Sequence, residues 1–322
     1  MPLVERFAIA TAVWDSAESV FVVLHHDGVT GIGEVAPDAR WGDSPESVAE
    51  QIRALDLSRL AGPFDLEGLQ QFDPTPARTA IDIALHDLAA TKAGISVAEL
   101  IGVAGRPLPP TSVTIPISDV PKMVERARGF ADHPVIKMKV GFDGDVDAVA
   151  SIRDVFKNRI RIDANEGWDK SQAIDRLKAL ESFDIELCEQ PIPKGDHAAL
   201  SEVTASTSIP IYADEDVETS ADVAGLVGVV DGVNLKLRKT GGLREAIKAA
   251  AVARAHGLGL MIGCDLESGV AATAQATFAA LCDHADVDGP LLLADDPYPG
   301  VAYDKGRLAL PDGPGLGVKN KP

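Results

Sequence analysis

VIKMKVGFDGDVDAVASIRDVFKNRIRIDAN (Val135–Asn165) contains one full period of the pattern from which most of this chain is built. Val135–Val140 is too short for a helix and is apolar at Ile136, Met138 and Val140, so it reads as a buried strand. Val146–Val155 is amphipathic at helical spacing, and Ile160–Asp163 is a second apolar strand. A strand, a crossover helix and a further strand form a unit whose strands lie parallel.

The rhythm extends in both directions from this unit. Strand-like runs fall at Ser112–Ile117, Val135–Val140, Ile160–Asp163, Ile185–Glu189, Ile209–Asp214, Gly232–Leu237, Gly259–Cys264 and Ala285–Gly289. Helices stand between most of them, among them Ser171–Leu180 and Arg244–His256, the latter stopped by Gly257. Eight such runs within about 180 residues indicate closure into a barrel. Upstream of Pro109-Pro110 the texture differs. Ser19–His26 and Val29–Val35 flank an Asp27-Gly28 turn, and helices follow at Ser44–Leu55 and Pro76–Gly94. In the second helix Ala80, Ile81, Ala84, Leu85 and Leu88 share one face. The expected fold is α/β: a modified (β/α)8 barrel of TIM type over residues 109–290. An α+β capping domain occupies residues 1–108, and a Gly/Pro-rich tail, 291–322, returns to the cap.

Composition narrows the function. Of the 322 residues, 46% are apolar and 25% charged, a globular balance. With 30 basic against 49 acidic residues the formal charge is −19, and no basic cluster is segregated, so nucleic acid is not an expected partner. No apolar run reaches the roughly 18–20 residues of a membrane span. Met1–Arg6 does not read as the start of a secretory signal. Cys188, Cys264 and Cys282 are widely spaced with no CxxC, which suits a reducing cytoplasm. None of the seven histidines forms a spaced ligand pair.

Active sites of such barrels form at the C-terminal ends of the strands. Read in order, these ends give Lys137 and Lys139; Asp163 and Asn165; Glu189; Asp214 and Glu215; Lys236; Asp265; and Asp286 and Asp288. Asp163, Glu189 and Asp214 are spaced by 26 and 25 residues, one βα unit each, so they converge from adjacent strands. Three hard carboxylates suit one Mg²⁺ per subunit, with room for a substrate oxygen. Lys137 and Lys139 are two apart and share a face. Burial and a neighbouring cation both disfavour a charged lysine there, which suits a general base. Lys236 lies four strands on, across the barrel. Opposed lysines can remove a proton from one face of a carbon and return it to the other. A proton beside a carboxylate is very weakly acidic, because its loss gives a doubly negative enediolate, and a divalent cation offsets that charge.

The chain resembles the enolase superfamily, whose sites join a lysine or histidine base to Mg²⁺, over essentially its whole length. A lysine at position 236 resembles the muconate-lactonising subgroup. Ile162–Trp168, Asn234–Gly242, Ile262–Cys264 and Asp286–Pro290 look most similar to dipeptide epimerases of the L-Ala-D/L-Glu type. The resemblance implies Lys139 and Lys236 as the acid/base pair with Lys137 assisting. It implies Asp163, Glu189 and Asp214 as Mg²⁺ ligands, with Asn165 and Glu215 behind them. Asp286 and Asp288 would receive the α-ammonium of a dipeptide substrate. Two departures stand out: Asp265 follows Gly-Cys where an apolar residue is common, and the loop Ala10–Glu18 holds Trp14 but no arginine. Together they argue for a dipeptide with a cationic or mixed side chain, met by Asp265 and Trp14. The competing readings are an N-acylamino acid racemase, an o-succinylbenzoate synthase, and a non-catalytic barrel that binds a metal and a ligand. Assembly as a homo-oligomer is left open.

Overall fold

The computed structural model describes residues 1–321. In the cap, β1 (Pro2–Ala8) pairs antiparallel with β2 (Val13–Ser16), and β3 (Val20–His26) with β4 (Val29–Val35). The second hairpin is the expected one, with Asp27 and Gly28 at φ 48° and 77°. The first replaces the loop expected over Ala10–Glu18. Three of the four β2 residues are exposed, so no inside–outside alternation marks it in the sequence.

α1 (Pro45–Ala54) begins at a capping box between Ser44 and Ser47. α2 (Pro76–Ala93) starts behind Thr75 with proline in its first turn and ends on the left-handed Gly94. It is buried on every side from Ala77 to Ala90, because the β3–β4 hairpin covers one face and the barrel the other. The hairpin lies so close that a Cβ on Gly31 or Gly33 would overlap the α2 carbonyl oxygens of Ala84 and Ala80. Polar residues on the barrel side are paired across the domain boundary. Arg78 donates to the carbonyls of Thr240 and Gly241, at 2.8 and 2.9 Å, and Asp82 accepts from Leu243 N at 2.6 Å. A short α3 (Val97–Leu100) ends this unit.

The barrel strands are β5 (Val113–Ile115), β6 (Val135–Lys139), β7 (Arg159–Asp163), β8 (Ile185–Glu189), β9 (Ile211–Ala213), β10 (Gly232–Leu235), β11 (Gly259–Gly263) and β12 (His284–Asp286). They form one parallel sheet in sequence order, and a parallel bridge between Thr111 and Ala285 brings its two edges together. The expected TIM-type barrel with a capping domain is therefore the observed fold. The connections carry α4 (Val120–Gly129), α5 (Asp145–Val155), α6 (Lys170–Leu180), α7 (His197–Ala205), α8 (Ser220–Gly225), α9 (Leu237–Thr240), α10 (Leu243–Ala255) and α11 (Gly269–Phe278). Toward the strand N-termini the barrel is plugged by Arg161, whose guanidinium bonds Glu186, His284 and the Ala285 carbonyl, with Tyr212 edge-on to His284.

The tail touches both units. Ala294 N donates to Pro2 O and Leu293 bridges Leu3, while Gly315 bridges Ser96. Its hairpin, β13 (Ala302–Asp304) with β14 (Arg307–Ala309), reaches the barrel instead, where Tyr303 Oη donates to Val287 O at 2.8 Å.

Candidate active site

Sheet register decides which side chains meet. Lys139, Asp163 and Glu189 are lateral neighbours on β6, β7 and β8, and Glu189 is level with Tyr212 on β9. Asp214 lies two residues beyond Tyr212 and so projects the same way. The expected strand-end residues sit against, or one contact behind, a cavity of about 530 Å³ between barrel mouth and cap. Lys137, Lys139, Asn165, Lys236, Asp265, Asp286 and Asp288 line its barrel side, and Trp14 and Arg40 its cap side.

The ammonium of Lys137 stands at the centre of the acids. It lies 2.8 Å from Asp163 Oδ2, 2.7 Å from Glu189 Oε2 and 2.7 Å from Asp286 Oδ2. Lys139 donates to the same Asp163 oxygen at 2.6 Å. Across the barrel, Lys236 Nζ is 3.1 Å from Asp214 Oδ2 and 3.8 Å from Asp265 Oδ1. Lys236 is the residue that leads into α9, just past the end of β10. Asn165 donates its backbone N–H to Asp163 Oδ1 at 2.9 Å and reaches Glu215 Oε1 at 3.4 Å through its amide. It does so at φ 42°, a left-handed conformation that asparagine tolerates better than most residues.

Charge balance in this buried cluster differs from the expectation for Lys137. Burial opposes its charge, but Asp163, Asp286 and Glu189 outweigh it and hold the ammonium well above its usual range. Lys236 is raised in the same way, against burial, first by Asp214 and then by Asp265. The acids divide. Against the pull of burial, Lys137 and Lys139 keep Asp163 low. Burial and the adjacent Asp163 push Glu189 up to about 8, and burial with Asp214 pushes Glu215 up to about 7.

Among the described residues no three acidic, histidine or cysteine side chains stand ready as a closed coordination shell. The donor set nonetheless fits a hard cation. Lys137 Nζ touches oxygens of both Asp163 and Glu189, so the two carboxylates project to the same region. Glu189 Oε2 and Asp214 Oδ2 have these ion-pair neighbours yet accept no well-directed hydrogen bond, and Asn165 Oδ1 and Glu215 Oε2 are likewise orphaned. Buried acceptors left without donors in an acid-rich cluster are what a cation satisfies.

Two expected contacts are made within the chain. Asp265 faces the cavity, but Arg238 Nε donates to its Oδ2 at 3.0 Å and Lys236 flanks its other oxygen. The guanidinium of Arg40 stacks over Trp14, 5.5 Å from the ring centroid. The carboxylate and the ring face held out for a substrate cation are thus already met by arginines. The arginine that the Ala10–Glu18 loop lacks stands instead in the connection between β4 and α1, where Arg40 pairs with Asp38 and reaches over Trp14. Asp286 and Asp288 do come together, with different partners: Asp286 takes Lys137 and Ser112 Oγ (2.5 Å), whereas Asp288 takes the Thr114 N–H (2.7 Å). Burial and Asp286 push Asp288 up to about 6.

Sequence reasoning gives no role to two members of the site. Asn234 Nδ2 donates to Glu189 Oε1 at 2.6 Å, and Lys239 Nζ to Asp214 Oδ1 at 2.5 Å and to its carbonyl. Alternation from Lys236 back to Asn234 is a signal that could have found the first. Lys239 stands three residues past Lys236, on the same side of the single turn of α9.

Known proteins share this architecture. Residues 2–102 match the mandelate racemase / muconate lactonizing enzyme N-terminal domain, and residues 122–322 match the enolase C-terminal domain-like family. An L-Ala-D/L-Glu epimerase of Bacteroides thetaiotaomicron is 35% identical, over 97% of this chain and 84% of its own. A hydrophobic dipeptide epimerase of Roseobacter litoralis is 35% identical over 96% and 93%. The crystal structure of a dipeptide epimerase from Enterococcus faecalis, complexed with Mg and L-Leu-L-Tyr, superimposes with a TM-score of 0.94 at 31% identity, covering 99% of this chain and 97% of that one.

Proposed function

This chain belongs to the enolase superfamily, in its muconate-lactonising subgroup and close to the dipeptide epimerases, and from that premise we propose that it is a Mg²⁺-dependent dipeptide epimerase. The observation that carries the reading is the pair Lys139 and Lys236, on strand ends four apart in an eight-stranded barrel, with buried carboxylates between them. Asp163, Glu189 and Asp214 would hold Mg²⁺, which supplies the positive charge that offsets the second negative charge formed when the carbon beside a carboxylate loses its proton.

The chain's own residues do the rest. One of Lys139 and Lys236 takes the α-proton and the other returns a proton to the opposite face, so the carbon inverts. Lys137 holds Asp163 and Glu189 together and stands beside Lys139. Asp288, which lines the cavity and has only the weak Cys264 thiol near its Oδ1, receives the substrate's α-ammonium, and Asp286 fixes Lys137 next to it. The cap closes the cavity with Trp14 and Arg40. We place this activity in the cytoplasm, in keeping with three free cysteines; among the described residues no helix is long and apolar enough to cross a membrane.

The test is a panel of dipeptides and N-acetylamino acids in D₂O with MgCl₂, followed by NMR. Exchange and inversion of the C-terminal α-proton are expected with dipeptides, and loss of both with EDTA. Turnover of N-acetylamino acids alone would overturn the reading. With Arg238 on Asp265, Xaa-Lys and Xaa-Arg are expected to fare no better than Xaa-Leu or Xaa-Glu. A clear preference for the cationic pair would restore Asp265 to the substrate.

A further inference from the structure

The two lysines are not held alike. Lys139 donates a 2.6 Å hydrogen bond to Asp163. Lys236 is placed by ion pairs alone, to Asp214 at 3.1 Å and Asp265 at 3.8 Å. Its position therefore depends on where both Asp214 and Asp265 sit, and Asp265 is fixed through its other oxygen by Arg238 Nε at 3.0 Å.

Arg238 also faces the cap. Its side chain is 4% exposed, and burial of a guanidinium that deep demands partners on every side. One side is Asp265. The other is the connection between β4 and α1, where Arg238 Nη2 lies 3.9 Å from Asp38 Oδ2 and its guanidinium 5.2 Å from the Trp41 ring centroid. Lys194, from the loop after β8, covers Trp41 at 3.7 Å, so the indole meets two cations that both belong to the barrel. Asp38 in turn takes Arg40 Nη2 at 2.7 Å, and Arg40 lines the cavity. A ladder of alternating charge thus runs Arg40–Asp38–Arg238–Asp265–Lys236, from the roof of the cavity to one of the two lysines.

We infer that Arg238 is a positioning residue that seats the Ala36–Asp43 loop over the cavity and, through Asp265, sets Lys236 but not Lys139. The inference rests on the two-lysine reading above. Its consequence is an asymmetry between the two faces of the substrate carbon. Net epimerisation cannot reveal this, since the equilibrium constant ties the forward and reverse rates together. Exchange of the α-proton without inversion can, because each epimer exchanges through one lysine.

The measurement is α-proton exchange in D₂O with MgCl₂, started separately from each epimer of a dipeptide that the enzyme accepts. Lys139→Ala and Lys236→Ala identify which epimer each lysine serves, each variant keeping exchange on one epimer only. Arg238→Met should then slow exchange on the Lys236 epimer by a further 10- to 100-fold, on the order expected for a misplaced catalytic group, relative to the other epimer. KM should rise for both epimers, as the roof loosens, and Arg238→Lys, which keeps a cation beside Asp265, should show a smaller asymmetry than Arg238→Met. Asp265→Asn, which still accepts from Arg238 but removes the charge beside Lys236, should give the asymmetry without the shared rise in KM; it also serves if Arg238→Met does not fold. Equal losses on both epimers, or no loss, in Arg238→Met and Asp265→Asn would overturn the inference with the two-lysine reading intact. Failure of both lysine variants to separate the epimers would overturn that reading and the inference with it.

Discussion

Asp286 and Asp288 show how much a residue's neighbours add to its position in the sequence. Spacing by two puts both on the same side of the strand end, and both are there, but their partners divide the work. Asp286 is saturated by Lys137 and Ser112, while Asp288 has one oxygen on the Thr114 N–H and only the weak thiol of Cys264 near the other, at 3.8 Å. Asp288→Asn should therefore raise KM for a free dipeptide by one to two orders of magnitude, the roughly 1.5–3 kcal/mol of a charge-assisted hydrogen bond, with kcat changed less. Asp286→Asn should act chiefly on kcat, because it releases Lys137 among the acids. Steady-state kinetics on both variants check the division; the same KM effect from each would show that they bind the ammonium jointly. The acids of this site, with Lys137, Lys139 and Lys236, were legible because β-strand alternation and βα spacing are regular. Arg40, Asp38 and Arg238 were not, because their partners lie on separate elements and no periodicity links them.

Elements tell the same story at longer range. The eight barrel strands could be read because burial on both faces leaves short apolar runs between helices. The β1–β2 hairpin could not, since one of its strands is mostly exposed. α2 was legible as a helix but not as one buried all round: Arg78 and Asp82, one turn apart, look like an outer face until Thr240, Gly241 and Leu243 are seen to receive them. The contact of β4 with α2 makes a sharp prediction. A methyl group at Gly33 has to displace the backbone of α2 at Ala80, not a mobile side chain. Gly33→Ala should cost about 1–3 kcal/mol, the range for overpacking. Gly28→Ala, in the open turn of the same hairpin at φ 77°, should cost about 1 kcal/mol through backbone conformation alone. Urea unfolding of the two variants tests the order; a larger loss at Gly28 would mean that the hairpin can shift away from the helix.

Across the whole molecule, acids gather at the barrel mouth, whereas the barrel floor is built around a buried arginine. There His284 lies between Arg161, whose Nη2 is 3.1 Å from its Nδ1, and the edge of Tyr212. Its ring accepts from a guanidinium and so is neutral. Burial, followed by Arg161, lowers its pKa to about 4, despite Glu186 and Asp283 nearby. The unfolded chain returns this imidazole to an ordinary value near 6.5. Between about pH 6.5 and 4 the unfolded state therefore binds a proton that the folded state refuses, so the protein loses stability as the pH falls through this window. The loss reaches about 3 kcal/mol at pH 4 and levels off just below it. His284→Gln keeps an acceptor for Arg161 and cannot titrate. Chemical unfolding of both proteins from pH 7.5 to pH 4 separates this effect from the carboxylates they share. The stability difference should move by about 3 kcal/mol in favour of the glutamine variant as the pH falls. Parallel curves would mean that the plug opens and lets His284 take its proton in the folded state.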